Sequence, residues 1–291
     1  MTLFSEIQRK RGGTNKIGLK RQGSKTEIKL NGNNLKKLSD LVTSLPISLV
    51  TPQTHRIIEE GPEYRRRLLN WGVFHVEHEY RQLVQKYNRI LLQRNSALKE
   101  NQKLSSIWDD QLSQCGERIQ TMQGNYVQNW FYILRILSDG IESLKAVEMA
   151  YQPGWDKTYA LSECLKTKVD VDRKRGYTSV GPHRSDVTIT LGGRPAREIL
   201  SRGQQKLLMT LLMIGQSKLL EQAYGEKVIF LIDDFHSELD TASQEIIINK
   251  LLSEGIQAVI TTIDRNESLK GISVSNAYMF HVEHGAVVQT A

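Results

Sequence analysis

The sequence predicts an α/β protein in which two regions of β-structure flank a long helical arm. Three patterns in its 291 residues support this prediction. Period-two alternation opens the chain, apolar residues at spacings of three and four run through its middle, and helices alternate with apolar strands in its last third. Because such alternation is typical of a parallel sheet covered by helices, we expect a sheet of this kind at the core.

The opening segment is predicted to be a β-hairpin. Residues 16–20 and 26–30 alternate apolar and polar side chains, and the polar stretch 21–25 between them suits a turn. A short helix is expected at about 34–43, and residues 46–52 indicate a buried strand bounded by prolines.

A helical hairpin is predicted in the middle of the chain. Apolar residues from Tyr80 to Ile90 form one stripe along a helix. After a polar break at 101–106, a longer seam with gaps of four and three runs from Trp108 to Ile141. We expect the two stripes to face each other as core packing and not as a ligand site.

Sheet and helix alternate beyond the arm. Strands are predicted at 146–151, 177–180 and 187–191, with a polar helix that ends at about 175 between the first two. An apolar helix after Ser201, a strand at 228–232, a helix near 243–252 and a strand at 258–263 follow.

The composition, 39% apolar and 24% charged, is that of an ordinary globular protein. No apolar run approaches the roughly 18 residues needed to cross a bilayer, and the first residues lack the apolar stretch of a signal peptide. We therefore expect a cytoplasmic protein with no membrane partner. Cys115 and Cys164 are far apart in sequence and indicate neither a disulfide framework nor a zinc site.

Two carboxylates follow the apolar strand at 228–232. Asp233 and Asp234 come where this strand reaches its carboxyl end, the edge at which open α/β sheets bind ligands. In P-loop enzymes this is the Walker B position, where the first carboxylate holds Mg²⁺ through water and its neighbour orients the attacking water. A plain Asp-Asp turn after a strand would have the same sequence, so the motif needs support from others.

That support comes from the start of the apolar helix. Ser201 and Gln204 match a capping box, but the box leaves Gly203 unexplained, since glycine inside a first turn costs about 1 kcal/mol relative to alanine. A Ser-x-Gly-Gln helix start offers N–H groups, a hydroxyl and a positive dipole end to a phosphate. This is the form of the signature motif of ABC-type ATPases.

A third motif, with Ser237 and Asp240, follows the Walker B strand at the position of the D-loop, which lies across the dimer interface in ABC-type ATPases. The order and spacing of the three motifs predict an ABC-type ATPase head. Such a head combines a P-loop NTPase-like sheet with a β-rich subdomain, and here it would carry an inserted helical arm.

Over nearly its whole length the chain resembles the RecF family of bacterial DNA replication and repair ATPases, which are related to SMC and Rad50 proteins. The markers are residues 61–67, 93–95, 181–186, 200–204 and 231–240. The resemblance implies that residues 1–60 and 173–291 form the head and that residues 61–172 form the arm, or lobe II.

The resemblance also implies roles for the motif residues. Asp233 would serve Mg²⁺, Asp234 would replace the usual catalytic glutamate, and the γ-phosphate of ATP bound to a second subunit would contact Ser201, Gly203 and Gln204. Gln53 is the candidate for the Q-loop residue. Thr262 or Asp264 could stand in for the switch histidine, which the sequence lacks.

No Walker A loop occurs in the sequence, although RecF-like proteins open with one. The nearest segment, 23–26, lacks a glycine directly before its lysine and lies in the predicted hairpin turn. We interpret the chain as a truncated product or as a gene model begun at an internal Met. Because the absent strand would leave apolar surface and an unpaired edge, we expect poor solubility and weak ATP binding.

The first 37 residues carry ten basic and two acidic side chains, whereas the rest of the chain carries 29 basic and 30 acidic ones. Such a block is commonly a nucleic-acid tail, but the resemblance places it on a hairpin of the head, with Lys20, Arg21 and Lys25 as DNA-binding candidates. The arginines at 65–67 suit either a solvated helix face or a phosphate contact.

In the intact family, ATP drives dimerisation on single-stranded, gapped or junction DNA, and RecO-type and RecR-type mediators help to load RecA and support the SOS response. The sequence therefore predicts a DNA repair ATPase with impaired ATP binding. The alternative is a non-catalytic DNA-binding or adaptor fragment. A transporter ATPase subunit is disfavoured by the helical seam and by residues 181–184.

Overall fold

The computed structural model describes most of the chain, namely residues 2–8, 12–23, 25–35, 41, 45–100, 103–225, 227–262, 277–284 and 286–290. Its first element is an antiparallel meander in the order β1-β2-β3-β4. The four strands are β1 (Thr2–Gln8), β2 (Thr14–Gln22), β3 (Lys25–Leu30) and β4 (Asn33–Asn34). The predicted hairpin is confirmed as β2 paired with β3, and β1 adds a strand that the alternation did not predict. The helix expected at 34–43 lies largely outside the described residues.

The middle of the chain is helical, as predicted. After β5 (Ile47–Val50) come α1 (Arg56–Glu59), α2 (Pro62–Val76), α3 (Tyr80–Lys99), a 3₁₀ turn (Lys103–Trp108) and α4 (Asp109–Leu137). The seam residues of α4 are buried except Met122, which is partly buried, and α3 and α4 pack on each other, which confirms the helical hairpin.

The last part of the chain alternates sheet and helix. Its elements are β6 (Val147–Gln152), α5 (Leu161–Arg175), β7 (Asp186–Leu191), β8 (Arg194–Pro195), α6 (Ala196–Ile199), α7 (Arg202–Tyr224), β9 (Ile229–Ile232), α8 (Thr241–Ser253), β10 (Ala258–Ile260), β11 (Met279–Glu283) and β12 (Ala286–Thr290). Strands β6, β7 and β8 form an antiparallel sheet, and β11 pairs with β12.

The strand predicted at 177–180 is wrong. The N–H of Thr178 donates to Asn95 Oδ1 at 2.8 Å, and the N–H of Ser179 donates to Asp172 Oδ1 at 3.0 Å. Because side chains of the arm satisfy these backbone groups, the segment forms an irregular loop although its sequence alternates.

Strands β10, β9 and β5 form a three-stranded parallel sheet in the order β10-β9-β5. One face, with Val50, Phe230 and Ile232, is buried in the same core as α7. Leu49 and Val259 point to the opposite face and are 55% and 54% exposed. Parallel sheets are usually covered on both faces, whereas these two apolar side chains lie exposed on this one.

None of the described helices is long and apolar enough to span a bilayer.

Two leucine truncations should distinguish the exposed face of the parallel sheet from the buried core around α7. Leu49→Ala should change the free energy of unfolding by about 0.5 kcal/mol or less, because the side chain is already exposed. Leu208→Ala, at a fully buried position of α7, should cost about 2–5 kcal/mol. Urea denaturation of both variants measures the difference, and equal losses would mean that the Leu49 face is covered in solution.

Candidate nucleotide site

The carboxyl ends of the parallel strands bring the Walker B carboxylates to one edge of the sheet. The N–H of Asp233 donates to Val50 O at 2.8 Å, and the N–H of Thr261 donates to Ile232 O at 2.9 Å. The ladder thus continues one residue beyond β9 on both sides. Asp233 and Asp234 lie where the sequence predicted them, at the edge where α/β sheets bind ligands.

Thr261 is the residue after β10 that contacts the first carboxylate. Its hydroxyl donates to Asp233 Oδ1 at 2.7 Å and accepts from the Asp234 N–H at 3.0 Å. The sequence pointed instead to Thr262 or Asp264; Thr262 is the next residue along, and Asp264 lies outside the described residues. The sequence does not reveal the register between β10 and β9. In the structure Ile260 pairs with Ile232, which places Thr261 beside Asp233.

The signature segment forms the predicted capping box. The Ser201 hydroxyl accepts from the Gln204 N–H at 3.3 Å, and the Ser201 N–H donates to Gln204 Oε1 at 3.0 Å. A Cβ on Gly203 would lie 2.4 Å from the carbonyl oxygen of Glu238. Close packing on the D-loop therefore requires glycine here, whether or not a ligand also approaches.

Lys206 joins the signature helix to the Walker B and D-loop segments. Its side chain is fully buried, and its ammonium donates to Ser237 O at 2.6 Å and to Asp234 O at 3.5 Å. Burial lowers the pKa of Lys206, while the carboxylates of Glu238 and Asp234 act in the opposite direction. Sequence reasoning missed this residue, although a lysine at the head of a continuous apolar run was a visible signal.

The segment that runs from the Walker B carboxylates into the D-loop has an unusual backbone. Asp234 and Glu238 both have left-handed φ angles, of 47° and 65°. Asp240 caps α8 by accepting from the Ser243 N–H at 2.7 Å, and this hydrogen bonding lowers the pKa of Asp240. A structural role thus accounts for Asp240, and Ser237 takes part through its carbonyl oxygen.

The Q-loop segment reaches the D-loop through a histidine. Gln53 is exposed, and its amide oxygen accepts from Arg56 at 3.1 Å within the same segment. Two residues later, the buried His55 places Nδ1 3.1 Å from a Glu238 carboxylate oxygen. On the other side of Glu238, Arg202 of the signature segment lies 3.9 Å away. Glu238 therefore contacts both neighbouring motifs, which the sequence did not indicate.

Two of the three arginines at 65–67 are structural anchors. Arg65 binds Asp186 through two hydrogen bonds of 2.8 Å, and Arg66 donates to Ser185 O at 2.8 Å. They fasten α2 to the start of β7, whereas Arg67 pairs with Glu63 on the exposed side. The solvated-face hypothesis thus applies to Arg67 alone.

The remaining family markers meet around the loop at 176–185. The fully buried Arg94 contacts Asp109 at 2.7 Å and Asp172 at 3.0 Å, and it donates to the Thr178 hydroxyl at 2.8 Å. His183 lies between Tyr87 Oη at 2.7 Å and Thr178 O at 3.0 Å, and burial lowers the pKa of His183 to about 4. A neutral imidazole is therefore part of this packed loop.

The three hairpin candidates do not share a face. Lys20 lies opposite Glu27 and Gln22 lies opposite Lys25, so Lys20 and Lys25 project from the same side of the meander. Arg21 lies opposite Thr26 and projects from the other side, which also carries Leu19 and Ile28.

The two Walker B carboxylates suit a magnesium ion that arrives with a nucleotide. No group of three or more metal-binding side chains occurs among the described residues. Mg²⁺ is commonly held by one or two carboxylates together with substrate phosphates, and Thr261 occupies only one carboxylate oxygen of Asp233. The arrangement therefore fits Mg²⁺ and a bound phosphate better than a dedicated protein cage.

Lys206→Met should loosen the D-loop while keeping α7 packed. The substitution leaves the partly buried Ser237 carbonyl without its donor, at a cost of about 1 kcal/mol. Amide hydrogen exchange in residues 235–243 should become faster. Lys218→Met is the matched control, since Lys218 pairs with Glu254 elsewhere on the same helix. Equal protection of the 235–243 segment in both variants would contradict this role for Lys206.

Curated relatives match almost the whole chain. The chain is 34% identical over 290 residues to the DNA replication and repair protein RecF of Shewanella piezotolerans, covering 99% of the chain and 80% of the relative. It is 37% identical over 311 residues to RecF of Hahella chejuensis, with 99% and 81% covered. No family model matches.

Among solved structures, the recombination mediator protein RecF with ATP, of the RecFOR pathway, superimposes with a TM-score of 0.81 at 28% identity. The match covers 100% of this chain and 80% of that one. This confirms the predicted ABC-type α/β head, and the chain belongs to the RecF family of DNA replication and repair proteins.

Proposed function

We propose that the chain acts in DNA repair as an ATP-responsive RecF-type head, with Asp233 serving Mg²⁺ and Asp234 orienting the attacking water. Ser201, Gly203 and Gln204 would contact the γ-phosphate of ATP held by a second copy of the chain. The observation that carries the proposal is the direct packing of the signature helix on the Walker B and D-loop segments through Gly203 and Lys206.

That packing would connect the signature residues, which contact ATP held by a second copy, to the Walker B carboxylates of the same chain. Gly203 packs so closely on the carbonyl oxygen of Glu238 that not even a Cβ would fit between them. A phosphate that draws the start of α7 towards a partner would therefore also move Glu238. Lys206 would pass the same displacement to Ser237 and Asp234. His55 and Arg202 lie on either side of Glu238, so the Q-loop segment would respond as well.

The hydroxyl of Thr261 would set the orientation of Asp233. By donating to Oδ1, it leaves the second carboxylate oxygen available to a hydrated Mg²⁺. When bound, the ion would offset phosphate charge. Thr261 is therefore our candidate for the position after β10 that senses the nucleotide.

We further propose that ATP-dependent dimerisation occurs on single-stranded, gapped or junction DNA. Mediators of the RecO and RecR type would act with the dimer to load RecA during the SOS response. The related RecF structure with ATP in the RecFOR pathway supports this proposal. Residues 61–172 would serve as the arm of the head formed by residues 1–60 and 173–291.

A second candidate function is a non-catalytic DNA-binding adaptor. It is favoured by one observation, the lack of a Gly-x-x-x-x-Gly-Lys-[Ser/Thr] segment anywhere in the 291 residues. An adaptor would retain the arm and the basic meander without hydrolysing ATP.

An ATPase assay separates the two functions. The chain alone should bind ATP weakly, whereas a chimera with an added N-terminal strand and Gly-x-x-x-x-Gly-Lys-[Ser/Thr] loop should hydrolyse it. In the chimera, Asp233→Ala should abolish hydrolysis, and Thr261→Ala should lower kcat about 10- to 100-fold, as loss of a carboxylate-orienting hydrogen bond does. Thr262→Ala is the neighbouring control. A chimera without activity, or with activity that survives Asp233→Ala, would favour the adaptor.

DNA binding by the meander can be tested by comparing substitutions on its two faces. Lys20→Gln combined with Lys25→Gln should weaken duplex binding and flatten the slope of log affinity against log salt by about 1.8, since two phosphate contacts are lost. Arg21→Gln, on the opposite face, should change the slope much less. Fluorescence anisotropy at several salt concentrations gives both slopes, and an unchanged slope in the double variant would leave the lysines as solvated surface.

A further inference from the structure

A basic surface surrounds the carboxyl end of α5, apart from the residues of the candidate nucleotide site. We call it the α5-end surface and define it by Lys99, Lys174, Arg175, Tyr177 and Arg184. All five side chains are exposed, and Tyr177 is 40% exposed. They come from three separate segments, namely the end of α3, the end of α5 and the loop at 176–185.

Contacts between these segments bring the five residues together. The Arg184 guanidinium lies over the Tyr177 ring, 5.1 Å from its centroid. Gly176 adopts a left-handed φ of 70°, and a Cβ there would lie 3.1 Å from Cγ of Lys99. The lysine stem therefore lies against the turn that leads from α5 to the ring.

The loop is held from beneath by the buried polar network. Arg94 bonds to Asp172 on α5 and to Thr178 in the loop, and Asn95 accepts from both the N–H and the hydroxyl of Thr178. Burying charges carries a desolvation cost, and here the buried pair positions an irregular loop. These buried contacts hold the loop at 176–185 in one conformation.

The charge of the surface is only partly balanced. Asp170 pairs with Arg173 at 2.9 Å, Asp172 is buried against Arg94, and Glu100 accepts from the Ser96 hydroxyl at 3.3 Å. Within the described part of the chain, no carboxylate lies within 4 Å of the charged groups of Lys174, Arg175 or Arg184.

We propose that the α5-end surface binds single-stranded DNA. Phosphates would lie against Lys99, Lys174 and Arg175, and one base would stack on the Tyr177–Arg184 pair. Single-strand sites combine a basic track with aromatic stacking, and a duplex cannot use the ring because its base faces are covered. The helix dipole alone would favour cations in the last turn of α5, but it does not account for Lys99, Tyr177 or Arg184.

The inference rests on the proposed function only for the choice of DNA as the polymer. It involves neither Asp233 nor the signature residues. Measurements without nucleotide therefore separate its failure from failure of the ATP proposal.

Stacking is tested with the full 291-residue chain and a labelled oligothymidylate, by fluorescence anisotropy. Tyr177→Ala should weaken binding about tenfold, whereas Tyr177→Phe should bind as the parent does. Tyr132→Ala is the control, because Tyr132 is 67% exposed on α4. Equal affinities for Tyr177→Ala and Tyr132→Ala would overturn the proposal, as would an equal loss on duplex DNA.

The phosphate contacts are tested at exposed positions where folding is not at risk. Lys174→Gln combined with Arg175→Gln should flatten the salt slope for the single strand by about 1.4. Lys86→Gln combined with Arg89→Gln makes the same charge change at exposed positions of α3 and should leave the slope unchanged. Identical slopes in the two double variants would overturn the proposal even if Tyr177→Ala failed to fold.

Discussion

The burial of α7 on all sides is the constraint on which the rest of the structure depends. Every residue from Gln205 to Ser217 is buried, so the helix needs partners around its whole circumference. The parallel sheet shares its core on one side. Trp130 of α4 donates to Leu212 O at 2.8 Å, and Gln216 donates to Leu68 O of α2 at 3.0 Å. Helices α2 and α4 and the parallel sheet therefore meet on this helix.

The start of the same helix carries the chemistry of the candidate site. The signature residues lie at its start, and Lys206 is the second residue of the buried stretch that begins at Gln205. An ammonium group in that position must find oxygen acceptors, and the Ser237 and Asp234 carbonyls supply them. Packing the core thus also places the D-loop against the signature segment.

Arg94 holds the loop at 176–185 in place, as Lys206 holds the D-loop. It is fully buried beside two carboxylates and a hydroxyl, so α3, the start of α4, α5 and the loop are held in one arrangement. Arg65 and Arg66 fasten the end of that loop to α2. Several residues that mark the family in sequence are therefore explained by packing and charge burial, whereas the exposed Arg184 lies over the exposed Tyr177 ring.

The sequence by itself determined that β-structure lies on both sides of a helical middle, and it determined the helical hairpin, the capping box at Ser201 and the place of Asp233 at a sheet edge, because periodicity, caps and strand ends are local properties. Tertiary structure alone decided that Thr261 faces Asp233, that Gly203 packs on Glu238 and that Arg21 projects away from Lys20, because these facts depend on strand register and on close approach between distant segments. It also decided that residues 177–180 are a loop. Their alternation suited a strand, but Asn95 and Asp172 bind their N–H groups first.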